Sequence, residues 1–130
     1  GLNKSIFFNE FPVPFDDRAD YLLESDVGVI CQATNFETQL SARTRVLDYL
    51  WAGLPILMNT GDEWSELIQK HNIGISVSNN TVKYWKKAIL ELVGNSSLIN
   101  EKSENIKHLQ QSYYWKNLVD PIIKHIESVV

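Results

Sequence analysis

Apolar residues along this chain alternate between short β-branched runs and stripes of helical spacing, and that alternation sets the expected architecture. Ile6-Phe7-Phe8 reads as a short strand, and Pro12 and Pro14 behind it impose an extended connector, because each fixes its own φ and restricts the residue before it. A helix follows, capped by Asp16 or Asp17, with Ala19, Leu22 and Leu23 on one face and an end near Ser25. Val27-Gly28-Val29-Ile30-Cys31 is a nearly continuous apolar run, the pattern of a strand buried on both faces. After a polar stretch over residues 32–41, Val46, Leu47, Leu50 and Trp51 recur at helical spacing within a helix expected over 42–52. Gly53 ends that helix with a left-handed cap, and Pro55 turns the chain into a strand over 54–58.

Asn59-Thr60-Gly61 then makes a turn. Asp62 caps a helix carrying Trp64, Leu67 and Ile68, which closes near Lys70-His71-Asn72 before a strand over 73–77. From Thr81 onward the pattern is helical throughout. Val82, Trp85, Ala88, Ile89, Leu92 and Val93 form one stripe, Gly94-Asn95 interrupts it, and a more polar helix runs to about Gln110. Residues 113–130 form a last helical segment, kinked or restarted at Pro121 with Asp120 as its cap. Strands alternating with helices predict an α/β fold: a partial doubly wound, Rossmann-like parallel sheet of about four strands with flanking helices and a helical C-terminal segment, in a single domain over residues 1–130. Ligands of such sheets bind at the carboxyl ends of the strands, here the loops after Cys31, Met58 and Val77.

Composition narrows the functional classes. A hydrophobic fraction of 44% with 11% aromatic residues is that of a chain able to bury a core. A formal net charge of −4 and pI near 5.3 argue against a nucleic-acid partner, which calls for gathered Lys and Arg. Cys31 is the single cysteine, so no internal disulfide is possible, and no run approaches the roughly 20 apolar residues of a membrane-spanning helix. With no leader-peptide pattern at its start, the chain is expected in the cytoplasm. His71, His108 and His125 lie on different elements without ligand spacing, so no metal is expected. The Asn-x-Ser/Thr triplets at Asn3, Asn79 and Asn95 matter only in a secreted chain. A receiver-type interaction domain would need an acceptor aspartate after its central strand, where Gln32-Ala33-Thr34 stands.

The polar stretch after Cys31 is the place for chemistry. Gln32, Thr34, Asn35, Glu37, Thr38, Gln39 and Ser41 crowd hydrogen-bonding groups ahead of a helix start, whose free N–H groups favour an anion. Arg43 and Arg45 fall in the first helical turn, where the helix dipole opposes positive charge. A bound diphosphate would explain them; local pairing, Arg45 with Asp48 at i+3, is the alternative.

Ser25-Asp26-Val27-Gly28-Val29-Ile30, Glu37, the run from Leu47-Asp48-Tyr49 through Ala52-Gly53-Leu54-Pro55 to Leu57, then Gly61 and Gly74-Ile75-Ser76-Val77, together resemble the carboxyl half of group 1 glycosyltransferases of the two-domain GT-B kind. The resemblance implies transfer of a sugar, with retention, from a nucleotide-sugar to a glycan or lipid-linked acceptor, and Arg43, Arg45 and Asp48 resemble an Arg-x-Arg-x-x-Asp helix of members engaged in surface polysaccharide assembly. It implies that Glu37, the catalytic candidate, contacts the donor sugar and that Asp48 hydrogen-bonds the ribose. Donor-binding candidates beside them are Asn35, Thr38, Gln39, Leu40, Ser41, Arg43 and Arg45. Two departures stand out: Thr38-Gln39-Leu40-Ser41 replaces the family's glycines, and ten residues, 38–47, separate Glu37 from Asp48, more than the family's spacing. No metal cofactor is implied.

By the same resemblance the first two strands of the donor domain lie upstream of Gly1, and an amino-terminal acceptor domain of the same protein is a missing partner. The fragment is then expected to be inactive alone, with an open sheet edge that a homodimer could cover. The full-length enzyme is expected at the inner face of the membrane, peripherally associated. A non-catalytic α/β module that binds nucleotide-sugar or another protein stays open as the alternative.

Overall fold

The computed structural model describes residues 6–33, 35–40 and 43–129. Its regular elements are α1 (Arg18–Leu23), β1 (Gly28–Ile30), α2 (Phe36–Leu40), α3 (Arg45–Ala52), β2 (Ile56–Asn59), α4 (Glu63–Lys70), β3 (Gly74–Val77), α5 (Val82–Val93), α6 (Ser96–Gln110) and α7 (Trp115–Val129). The three strands form one parallel sheet in the order β1-β2-β3, with Ile30 opposite Met58 and Met58 opposite Ser76. Parallel neighbours cannot be joined by a tight hairpin, so each connection carries helix: α2 and α3 between β1 and β2, and α4 between β2 and β3.

Helices cover both faces, and the apolar period of the strands decides which residue meets which layer. Ile30, Ile56 and Met58 join Val46 and Leu50 of α3, Ile68 of α4 and Ile106 of α6 in one buried cluster. Leu57 and Val77 point the other way and pack on Ala88 and Leu92 of α5, with Ile75 and Trp85 beside them. β2 is buried along its whole length because it is flanked by a strand on each side and by helices above and below.

Several terminators act as their chemistry requires. Gly53 holds φ at 73°, a left-handed value that any residue with a Cβ adopts at a cost, and its N–H donates back to the Leu50 carbonyl at 3.1 Å. Asp62 caps α4: its Oδ1 accepts from the Ser65 N–H at 2.9 Å, and the Ser65 hydroxyl accepts from the Asp62 N–H at 3.4 Å. Asn95 caps α6 in the same way through Leu98, which accounts for the break between α5 and α6. Gly74 lets β3 close on β2, since a Cβ there would stand 1.9 Å from the Ile56 carbonyl oxygen.

Four expectations need correction. No strand forms at Ile6-Phe7-Phe8, so the described sheet has three strands and not about four. Phe7 and Phe8 are 89% and 86% exposed, because an apolar triplet becomes a strand only where a neighbour offers a ladder. Neither Asp16 nor Asp17 makes a side-chain cap; a 3-10 turn over Phe15–Asp17 leads the chain into α1 instead. The strand expected over 27–31 is shorter and open on one side: Val29 is 49% exposed, and among the described residues β1 is an edge strand. α7 runs through Pro121 as one helix and does not restart there with Asp120 as its cap, and the ring nitrogen has no proton to donate to the Asn117 carbonyl.

α7 has no buried residue, and its stripe of Trp115, Leu118, Ile122, Ile126 and Val129 is exposed. α6 is held more firmly. The ammonium of Lys102 is buried against Asn72 Oδ1 at 2.8 Å, and Asn105 Nδ2 donates to the Asn72 carbonyl. Desolvation lowers the pKa of Lys102, with Glu101 and Glu91 acting in the opposite direction. Among the described residues no helix is long and apolar enough to cross a membrane.

Candidate functional site

In a parallel sheet all strands finish at one edge, and here that edge carries a connected set of polar groups. Asn59, the last residue of β2, is 2% exposed, and its Oδ1 accepts from the Gln32 N–H at 3.1 Å. The carbonyl of Gln32 accepts from Asn80 Nδ2 at 3.1 Å, and Asn80 Oδ1 accepts from Trp85 Nε1 at 2.7 Å. One residue after β1, Gln32, is thereby held from β2 through its N–H and from the loop after β3 through its carbonyl. Cys31 is exposed at the same edge, its Sγ 3.9 Å from Asn80 Oδ1.

Arg43 enters this network from the approach to α3. Its Nε lies 2.6 Å from Asp62 Oδ2, and the two side chains are 3% and 4% exposed. The approach is off the N–H direction, so it is a charge contact and not a directed hydrogen bond. Arg43 Nη1 lies 3.4 Å from both the backbone carbonyl and the Oδ1 of Asn59. Ser65 completes the set: its hydroxyl donates to the Asp62 carbonyl at 2.7 Å, and the Ser76 hydroxyl donates to the Ser65 carbonyl at 2.9 Å. The helix expected from residue 42 begins at Arg45 with Thr44 as N-cap, which places Arg43 just ahead of it.

Arg45, two residues on, faces outward with its side chain 55% exposed, and its Nη1 is 3.4 Å from Asp48 Oδ2. The same carboxylate oxygen meets Arg18 Nη2 of α1 at 2.6 Å, with side chains 35% and 34% exposed. Arg18 lies 5.7 Å from the centroid of the Phe15 ring, within cation–π range. Two arginines around one carboxylate leave one net positive charge. A cavity of about 330 Å³ opens beside the trio, lined by Phe15, Leu22 and Trp51 with two carboxylates, Asp16 and Asp48, to one guanidinium, Arg18; the positive charge gathers instead in one of about 450 Å³ that Arg18 and Arg45 line and that reaches to Asn9 and Pro12. Tyr49, next to Asp48, donates from its hydroxyl to the Val29 carbonyl at 3.2 Å. Burial raises its pKa, the Arg45 charge and the Val29 hydrogen bond lower it, and the Asp48 charge adds to the rise.

The candidates of the polar stretch divide. Asn35 and Thr38 bind each other: the Thr38 N–H donates to Asn35 Oδ1 at 2.8 Å, and the Asn35 N–H donates to Thr38 Oγ1 at 3.0 Å. Glu37 and Leu40 are exposed on α2, and Gln39 lies on the same helix. Ser41 lies outside the described residues. Glu37 has no ion pair with Arg43 or Arg45 among the described residues. Arg45 and Asp48 come together as the i+3 spacing allows, whereas Arg43 turns inward. Sequence spacing missed Arg18, Asn59, Asn80 and the second role of Asp62. The usable signal was a polar residue at the end of β2, Asn59, and one shortly after each of β1 and β3, Gln32 and Asn80.

No protein-family model, curated protein or solved structure matches this chain.

Proposed function

We propose that this chain is the second half of the donor-binding domain of a retaining two-domain glycosyltransferase, which moves a sugar from a nucleotide-sugar to a glycan or lipid-linked acceptor in surface polysaccharide assembly. In this reading the three-stranded sheet is part of a doubly wound, Rossmann-like sheet, and the upstream strands and an acceptor domain belong to the same enzyme. The enzyme works on the cytoplasmic side, peripherally at the membrane, and the isolated chain does not catalyse. The observation that supports it is the grouping of Asp48 with Arg45 and Arg18 at the start of α3, beside two open cavities.

The chemistry suits such a group. Departure of a nucleoside diphosphate develops negative charge, which guanidinium groups stabilise without a metal. Asp48 accepts from ribose hydroxyls, and Glu37, exposed on α2, is free to orient the donor sugar. One observation favours a non-catalytic α/β module instead: the Asp48 carboxylate is already engaged by both arginines. Saturation-transfer NMR with UDP, GDP, dTDP and their sugars tests the proposal. Binding that Asp48→Ala and Arg45→Ala each weaken supports it, and binding indifferent to both variants argues for the module.

A further inference from the structure

We propose that α7 is a self-association surface: two copies of this chain pair antiparallel through its apolar stripe, about a two-fold axis at Ile122. The inference stands apart from the donor-site reading. No residue of α7 is buried, and Ile122, Ile126 and Val129 are 58%, 56% and 74% exposed. An apolar stripe left open over about four turns of helix calls for a cover. The stripe is also complementary to itself. Trp115, Leu118, Ile122, Ile126 and Val129 follow at intervals of three, four, four and three residues, a spacing that reads the same from either end. In an antiparallel pair Leu118 therefore stands against Ile126 of the second copy and Trp115 against Val129 of the second copy, with Ile122 on the axis.

A cavity at the amino-terminal end of the stripe supplies a seat. It measures about 480 Å³ and is lined by Leu47, Trp51, Tyr114, Trp115 and Leu118 among others. Trp115 and Leu118 belong to both the cavity and the stripe, so antiparallel pairing brings the carboxyl end of the second copy's α7 to this cavity, beside Trp51 and Tyr114, which are 58% and 59% exposed. Charge sets the direction of pairing. At about 100° per residue, Val119 and Ile123 widen the apolar face on one flank, and Lys116 and Glu127 border it there. Lys116 lies six residues before Ile122 and Glu127 five after it, so opposite charges meet across the antiparallel pair to within about 1.5 Å along the axis, twice by symmetry. Parallel pairing would set like charge against like. An anionic bilayer would favour a basic polar face, whereas Lys116 and Lys124 are matched here by Asp120 and Glu127.

Sedimentation equilibrium of the full chain tests this, with circular dichroism as the check of fold, since Lys116, Ile122 and Glu127 are all exposed. The wild type should reach about twice the 14.9 kDa of one chain. Ile122→Asp puts two carboxylates on the axis and should give a monomer. Lys116→Glu and Glu127→Lys should each weaken association about tenfold, and the exchange of both charges in one chain should restore it. A wild type that stays monomeric at millimolar concentration overturns the proposal, and if that monomer sediments with vesicles of phosphatidylglycerol, α7 serves a lipid surface instead. A dimer that survives Ile122→Asp overturns it as well, in favour of another surface such as the β1 edge. So does a dimer indifferent to both charge reversals, or one that the exchange fails to restore. Should Ile122→Asp not fold, the charge series decides.

Discussion

Two arginine–aspartate pairs with the same 2.6 Å separation sit near the two ends of α3's approach and behave as different physical objects. Arg43–Asp62 is 3% and 4% exposed and shares its surroundings with Asn59 and the α4 cap. Arg18–Asp48 is 35% and 34% exposed and has a second arginine, Arg45, at 3.4 Å. Water screens the outer pair and leaves its charges free to exchange partners, so an incoming anion can compete there. The inner pair has no such freedom. Distance alone would equate them; burial separates a frame from a site.

The largest expected effect breaks the inner pair. Arg43→Met leaves an unpaired carboxylate in the interior and should cost about 3–5 kcal/mol, lowering Tm by more than about 10 °C, as followed by circular dichroism. Adding Asp62→Asn, which removes the charge and keeps the cap on Ser65, should restore most of that loss; equal instability in that double variant would mean the charge was not the cause. Tyr49→Phe, at the junction of the two regions, should cost about 1 kcal/mol for the lost hydrogen bond to the Val29 carbonyl. Burial, above all, raises the phenol's folded pKa above the ordinary tyrosine value of 10.0. Its contribution is therefore complete below pH 10.0 and is lost as pH climbs through the folded value. The Phe variant should show a flatter alkaline loss in a Tm series against pH. The smallest effect belongs to the outer pair: Arg18→Ala should cost about 0.2–1 kcal/mol and less as salt rises. A salt-independent loss as large as that of Arg43→Met would erase the distinction.

Local chemistry was legible in the sequence, and long-range pairing was not. Gly53, Asp62 and Asn95 end or begin helices as their side chains dictate, because a cap needs only its neighbours. Ile6-Phe7-Phe8 misled for the complementary reason: a strand's hydrogen bonds come from elsewhere in the chain, and among the described residues no strand pairs with it. The Arg45–Asp48 pair followed from helical spacing, but Arg43–Asp62 spans the whole of α3 and β2, and Arg18–Asp48 joins residues 30 positions apart. Asp62 was correctly read as a cap through Oδ1, and its second oxygen carries the role that spacing cannot show.

Amide-resolved titration of the wild-type chain with UDP, GDP and dTDP tests the proposed donor site most directly. At least one of them should shift the signals of Arg18, Arg45, Asp48 and residues 35–40, with α6 and α7 unmoved. Shifts confined to α7 and the groove it forms with Trp51 and Tyr113, or no shift with any nucleotide, would contradict it.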